Sequence, residues 1–415
     1  MQTWIGLLDC NNFFVSCERL FRPDLEHAPV VVLSSNDGCI IARSQEIKDM
    51  GIPMGVPYFQ VKDSLQKSGT TIFSSNFTLY RDISNRIFSL LKAEVDVFEQ
   101  YSIDEAFFVY RGSDPQAYVT YLKRHIGQAI GIPVSVGLSF TKTQAKYANG
   151  VTKRHSGAWS MDQAVFDALA PQISIGEVWG VGKGRVKRFK DVGIHTVQDL
   201  QMMRYGWVSS QFGVEGVRLY SELTGQSVLP VQTKQAKQKS VMSSRAFGIS
   251  TNDLLVLEDA LAYHVRHTVA DIRAQEQEAR TISVYLRPSR YSTFALRGGS
   301  LSASLTSPSQ DTSIILKIAN RLLRDLYRSG VPYQKIGVLL RDLSPVTVTQ
   351  ATLFSADNTN KQAVWSAVDI LNKRFGDDTV RVGSALKENL WKGRSGKLSP
   401  VYTTRWSDVP IVKAT

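Results

Sequence analysis

Asp9 closes an apolar run, Thr3-Trp4-Ile5-Gly6-Leu7-Leu8, and a second acidic site, Asp104-Glu105, lies far along the chain inside Tyr101-Ser102-Ile103-Asp104-Glu105-Ala106. Acids at strand ends have no packing reason to be there, and three that converge repel one another unless cations sit among them. Hard oxygen ligands that hold Mg²⁺ loosely, with positions left for substrate phosphates, resolve that repulsion. These residues point to transfer of phosphoryl or nucleotidyl groups at a two-metal site. An Asp-Glu pair alone reads more simply as a solvated turn; Asp9 at a matching strand end reverses that balance.

The elements needed to bring the acids together are legible around them. Residues 3–9 read as a first strand. Phe77, Tyr80, Ile83, Ile87, Leu90 and Leu91 form a helical stripe. Val95 to Tyr101 and Phe107 to Tyr110 read as a hairpin around the acidic turn. A helix at 114–130, a strand from Pro133 to Ser139 and a helix from Lys142 follow. This order fits an α+β fold with a β-α-β-β-α-β sheet, in which the first strand lies beside the central hairpin and Asp9 meets Asp104 and Glu105. Residues 14–76 form a small insert, with strands at Val30 to Leu33 and Cys39 to Ala42 and a short helix closed by Gly51.

Beyond this sheet, Val178-Trp179-Gly180-Val181-Gly182-Lys183-Gly184 is a glycine-punctuated turn, followed by a helix bearing Arg185, Lys187, Arg188 and Lys190. It has the pattern of a helix-hairpin-helix, whose turn amides grip one backbone phosphate. Residues 229–240 are polar and basic and read as a linker. A second strand-helix-strand-strand-helix-strand run covers 241–345. One face of its strands is expected to cover helices and the other, with Ser243, Arg245, Ser283, Tyr285, Arg287 and Ser302, to face water or nucleic acid. Residues 346–415 read as a less regular tail with one or two helices.

The 415 residues are too many for one core, so several domains are expected. Hydrophobic residues at 43% and charged residues at 21% describe an ordinary globular chain. A net charge of +12 favours a polyanionic partner, nucleic acid first. Cys10, Cys17 and Cys39 lack paired ligand spacing and read as buried thiols in a reducing compartment. No signal peptide is read at the start, and no apolar run reaches the roughly 18 residues of a membrane span; the expected location is cytoplasmic, with no membrane partner.

With these features in view, the chain resembles the Y-family translesion DNA polymerases, and among them the UmuC-type catalytic subunits. Four motifs in order carry the resemblance: Asp9-Cys10-Asn11-Asn12-Phe13-Phe14, Asn36-Asp37-Gly38-Cys39-Ile40-Ile41-Ala42-Arg43, Tyr101 to Ala106, and Leu398-Ser399-Pro400-Val401-Tyr402-Thr403-Thr404-Arg405. The likeness runs over nearly the whole chain. It implies a palm (1–13 and 77–165), small fingers (14–76), a helical thumb (166–228), a little finger (241–345) after the linker, and a C-terminal tail (346–415).

The resemblance also implies roles. Asp9, Asp104 and Glu105, with the backbone carbonyl of Cys10, would hold two Mg²⁺ ions. Phe14 falls where the family places the aromatic steric gate against a ribose 2′-hydroxyl, with Phe where many relatives have Tyr; Phe13 beside it reads as core. Lys48 and Lys153, with Lys146 as a second choice, match cations on the incoming triphosphate, and Gln45 replaces a tyrosine common in the family. Cys39 and Ile41 would cover the nascent base pair. Gly180, Gly182, Lys183, Gly184 and Arg245 would contact DNA. Gln350, Leu353 and Phe354 resemble a sliding-clamp-binding peptide. Expected partners are primer-template DNA, dNTP, the sliding clamp, a processed UmuD-type dimer and RecA, in error-prone synthesis of the SOS response to DNA damage, without a proofreading exonuclease. Two other readings compete: a palm-type nucleotidyl cyclase and a non-catalytic DNA-binding scaffold.

Overall fold

The computed structural model describes residues 2–34, 38–153, 157–233, 237–289, 298–346, 359–376, 379–381, 391 and 396–411. The chain divides into two compact units, residues 1–235 with 395–415, and residues 236–394.

The first unit is built on β1 (Thr3–Cys10), which is followed by helix α1 (Phe13–Leu20). An inserted three-stranded sheet comes next: β2 (Val30–Leu33), β3 (Ile40–Arg43), helices α2 (Gln45–Asp49) and α3 (Tyr58–Lys67), and β4 (Thr71–Ser74). Its order is β3-β2-β4, with β2 antiparallel to β3 and parallel to β4. Helix α4 (Phe77–Glu94) returns the chain to the main sheet through β5 (Val97–Gln100), β6 (Glu105–Arg111), α5 (Pro115–Ile130), β7 (Val134–Ser139), α6 (Lys142–Thr152) and β8 (Ala158–Ser160). The five strands lie in the order β5-β6-β1-β7-β8. The first strand therefore sits beside the hairpin, as its acids require.

β1 is buried on both faces, which is why it reads as a continuous apolar run. Trp4, Leu8 and Cys10 enter the large core under α4 and α5, while Ile5 and Leu7 pack with Phe107 and Ala145. Helix α6 lies hard against β7 at Gly137: a Cβ there would stand 2.4 Å from the Asn149 backbone nitrogen. Helices α7 (Gln163–Leu169), α8 (Lys183–Lys190), α9 (Val197–Gln201) and α10 (Tyr205–Leu223) follow around a separate core that includes Phe166, Phe189 and Leu200. Thr196 caps α9 in a reciprocal capping box with Asp199. Cys10 and Cys17 are buried, whereas Cys39, expected to be buried, is half-exposed on the inserted sheet; all three are free thiols.

The second unit runs β9 (Ser240–Thr251), α11 (Leu254–Ala274), β10 (Gln277–Pro288), β11 (Gly299–Ser309), α12 (Thr312–Leu326) and β12 (Tyr333–Pro345). The element order matches the expected one, but the strands lie β11-β10-β12-β9, all antiparallel. Ile282, Val284, Leu286, Ile336, Val338 and Leu340 pack under the helices. The expected face of β9 needs correction. Ser243 pairs with Val338 and Arg245 with Ile336, so both lie on the helix-covered face. Ser243 Oγ is 2.8 Å from His264 Nδ1 on α11, and the Arg245 charge helps push that buried imidazole down to about 3, after burial itself. Arg245 thus leaves the set of open-face DNA contacts.

Helix α13 (Thr359–Phe375) is held to this unit by Asp369, which accepts two hydrogen bonds from the Arg273 guanidinium at 2.7 and 2.8 Å. Trp391 is buried, with its indole N–H donating to Asp259 at 2.8 Å. The expected clamp-binding peptide, Gln350 to Phe354, lies outside the described residues. Among those described, no helix is long and apolar enough to cross a membrane.

Candidate active site

Strand pairing assembles the acids. Asp9 on β1 stands directly opposite Glu105 on β6, and the Cys10 amide donates to the Asp104 carbonyl at 2.9 Å. Ser102 locks the preceding turn: its hydroxyl accepts from the amides of Asp104 (3.1 Å) and Glu105 (3.0 Å) and donates to Asp104 Oδ1 (2.5 Å). Asp9 is only 6% exposed. Burial, with the Glu105 carboxylate beside it, pushes Asp9 up to about 7 against the opposing charge of Lys153. Burial also acts to raise Glu105, but the hydrogen bond from Asp9 and the ammonium groups of Lys146 and Lys153 outweigh it and hold Glu105 below the usual range. Each facing carboxyl therefore titrates in the field of the other.

Among the described residues no three acidic, His or Cys side chains already form a closed metal-binding group; the Asp104 carboxylate turns to Ser102 instead. The donor set nevertheless fits hard divalent cations. A buried acid pushed up to about 7 beside a second carboxyl gains from added positive charge, and the carboxylates that meet there are hard oxygen donors.

Lysines supply part of that charge. Lys153 Nζ lies 2.7 Å from Asp9 Oδ2, and Lys146 Nζ lies 2.5 and 2.6 Å from the two oxygens of Glu105. Lys146 lies on α6 and Lys153 at its C-cap, two turns apart and so on one face. Asn149, between them, fixes that helix: its side-chain amide donates to the carbonyls of Leu7 (3.1 Å) and Ser135 (2.8 Å). Lys48 Nζ donates to Asn12 Oδ1 at 2.5 Å. Partial burial, then the nearby charges of Arg43 and Lys153, hold the Lys48 ammonium below its usual range. Arg43 Nε is buried without a hydrogen-bond partner. Two cations thus crowd Lys48, and one of them has an unused donor, an arrangement with the charge to attract a polyanion. Sequence reasoning passed over Arg43, although its alternation with Ile41 on β3 marks it as sharing that side chain's face.

Phe14 and Phe13 separate as expected. Phe13 is 4% exposed in the core, whereas Phe14 is half-buried and stacks on Tyr80 with ring centroids 4.6 Å apart and planes at 15°. Phe77 meets the Phe14 ring edge-on at 5.5 Å. Ile41 packs against the same cluster, and Cys39 bridges to Pro57.

Ahead of α8, Gly180 has φ +83°, which only glycine adopts readily, and Gly182 caps that helix. The amides of Lys183 and Gly184 therefore open a helix and precede its first intrahelical bonds. On the open face of the second unit, Arg287 pairs across from Lys335. Arg341 reaches Ser283 Oγ at 3.1 Å and Ser302 Oγ at 3.4 Å on that face. These three cations replace Arg245 as the basic set there.

A family model described as the impB/mucB/samB family matches residues 8–150, its C-terminal domain matches 238–353, and a domain of unknown function matches 362–412. Over 423 residues the chain is 35% identical to the protein UmuC of Salmonella typhimurium, a match spanning 98% of this chain and 100% of that one. The chain belongs to the impB/mucB/samB family. This family member is also 26% identical over 386 residues to DNA polymerase IV of Brucella melitensis, across 91% and 84% of the two chains. Its fold matches a Y-family DNA polymerase chimera of Dbh and Dpo4 with a TM-score of 0.66 at 20% identity, over 82% of this chain and 99% of the other. The α+β Y-family architecture and the UmuC-type resemblance read from four motifs both stand.

Proposed function

We propose that this impB/mucB/samB family protein is an error-prone, template-directed DNA polymerase of translesion synthesis. It joins the α-phosphorus of a dNTP to the primer 3′-oxygen, with loss of the 3′-hydroxyl proton and departure of pyrophosphate. The observation that carries the reading is the pairing of Asp9 with Glu105, next to Asp104, beside the cations Arg43, Lys48 and Lys153. Neither the cyclase nor the scaffold reading finds support among the relatives.

Asp9, Asp104, Glu105 and the Cys10 carbonyl would hold two Mg²⁺ ions, which when bound lower the pKa of the attacking hydroxyl and neutralise the leaving phosphates. Lys153, Lys48 and Arg43 bind the triphosphate as point charges and a guanidinium donor. The Phe14 ring sits under the sugar, where a 2′-hydroxyl would collide with it. Cys39 and Ile41, on a sheet of three short strands, enclose the new base pair lightly, so misshapen pairs incur little penalty. Gly180, Gly182, Lys183 and Gly184 bind a backbone phosphate on the primer-template, and Arg287, Lys335 and Arg341 bind further phosphates. Gln350, Leu353 and Phe354 engage the sliding clamp; a processed UmuD-type dimer and RecA complete the partners in the cytoplasm.

Primer extension with Mg²⁺ on damaged and undamaged templates tests this. The wild type should add nucleotides according to the template and pass at least one lesion, and Asp104→Ala should abolish both. Extension that ignores the template, or that survives Asp104→Ala, would defeat the assignment. Replacing Leu353 and Phe354 by Ala should remove stimulation by the clamp while leaving unassisted synthesis intact.

A further inference from the structure

The last described stretch of chain, residues 396–411, has a dedicated seat on the first unit. The Ser74 amide donates to the Lys397 carbonyl at 2.8 Å, the Lys397 ammonium lies 5.3 Å from the Tyr58 ring centroid, and Tyr402 stacks on Phe21 at 4.5 Å. At its centre Ser399, 7% exposed, donates to Glu18 Oε1 at 3.1 Å and accepts from the Asn76 side-chain amide at 3.0 Å. The same amide donates to the carbonyls of Ser399 (2.9 Å) and Pro400 (3.3 Å).

Glu18 is fully buried on α1, and its Oε2 has no hydrogen-bond partner. Its Oε1 is shared by two hydroxyls, that of Ser399 and that of Tyr80, which donates at 2.5 Å. A carboxylate so placed is costly to bury and gives its neighbours one strongly preferred position. The neighbour that matters is Tyr80, whose ring is the one stacked on Phe14. Asn76, the other residue Ser399 touches, caps α4 through Leu79 N–H at 3.3 Å, immediately before Phe77, the second ring against Phe14. Two of the three rings that touch Phe14, those of Tyr80 and Phe77 (the third is its neighbour Phe13), are thus tied to the C-terminal segment.

We propose that Ser399 and Glu18 are positioning residues for sugar selection: the segment Leu398–Tyr402 is a strap that sets Tyr80 and, through it, the Phe14 ring. The inference rests on reading Phe14 as the gate. It assigns a task to a segment within the matched domain of unknown function. The physical reason is the steepness of steric exclusion: a site that works by collision holds its geometry only if supporting groups fix it to within about 0.5 Å.

The test is the ratio of kcat/KM for a ribonucleotide to that for the matching deoxyribonucleotide, measured with the full-length chain on an undamaged template. Ser399→Ala and Tyr80→Phe, which keeps the ring and removes only the phenol, should each raise the ratio about threefold to tenfold, the range for one ordinary hydrogen bond. Ser399→Thr should restore the wild-type ratio. Phe14→Ala should raise it further, and adding Ser399→Ala to Phe14→Ala should change nothing more, because the strap then has no ring to place. A Ser399→Ala variant that slows both sugars equally, with Phe14→Ala still shifting the ratio, would overturn the strap while sparing the gate. Full additivity of the two substitutions would do the same. An unchanged ratio in Phe14→Ala would remove the gate itself and the strap with it. If Ser399→Ala does not fold, Tyr80→Phe reads the same coupling.

Discussion

Replacing Asp9 by Asn should make the metal-free protein more stable and the polymerase inactive. The residue is 6% exposed and faces Glu105, and burial pushes its carboxyl up to about 7 from the usual 3.8. A carboxyl whose folded pKa is raised favours the folded state fully below its unfolded pKa. That contribution is lost as pH climbs from about 4 to about 7, since the unfolded chain then binds fewer protons. At about 1.4 kcal/mol per tenfold change, this interval sets a ceiling of about 4 kcal/mol. Two effects reduce it: Glu105, held below its usual range, works with the opposite sign at lower pH, and Lys153 loses its partner in the variant. About 2 kcal/mol is a fair expectation at pH 8. The assay is urea unfolding in EDTA at pH 4 and pH 8, with primer extension in Mg²⁺ alongside. The variant should match the wild type at the lower pH, exceed it at the higher one, and extend no primer. A variant less stable than wild type at pH 8, or one that still polymerises, would refute the argument that these acids are crowded for the sake of a cation.

Lys153→Ala should lower kcat/KM for dNTP about thirtyfold, the worth of one charge-assisted contact to phosphate, with DNA affinity unchanged by titration. Arg341→Ala should weaken DNA binding equally across sequences and reduce the slope of log K against log salt by about 0.9, whereas Arg245→Ala should leave that slope alone. Asn149→Ala removes one donor from each of two buried carbonyls and should cost about 2–4 kcal/mol in denaturant unfolding. A cost near zero would mean that α6 is held by packing alone.

Much of this was legible in the sequence, for identifiable reasons. β1 runs into Asp9 and β6 starts at Glu105, so their adjacency could be read from the chemistry that needs those acids together. The second unit's helices were equally plain, because α12 carries its apolar residues on one stripe, Ile315, Leu316, Ala319, Leu322 and Leu323. The face of β9 was not. Val241 and Phe247 point to the helices, but Met242 and Ala246 have the opposite parity, and a one-residue error in parity moves every side chain to the other face. That ambiguity misplaced Arg245. β4 and α3 in the inserted sheet escaped notice because Thr71–Ser74 has only two apolar residues, unlike the all-apolar Val30–Leu33, and α3 buries only Tyr58 and Leu65. The link from Ser399 to Glu18 spans nearly the whole chain and involves polar residues with no repeating pattern, so a single sequence could not reveal it.

The basic and acidic halves of the site explain each other. Without substrate, Lys153 lies against Asp9 and Lys146 against Glu105, and the same Lys153 adds to the charge that depresses Lys48. A polyanion drawn by Arg43 and Lys48 competes with Asp9 for Lys153. Once Lys153 turns to phosphate, Asp9 is left facing Glu105 with its main counter-charge gone, and its demand for another cation rises. Triphosphate and divalent cation should therefore bind with mutual reinforcement, and α6, pinned through Asn149 and Gly137, is the element that couples them. Removing Lys153 should weaken triphosphate binding and also uncouple it from the divalent ion, so the dNTP dissociation constant would respond less to Mg²⁺ concentration in Lys153→Ala than in the wild type. The coupling is mandatory in both directions, because a group shared between two sites gives each the same free energy it takes from the other.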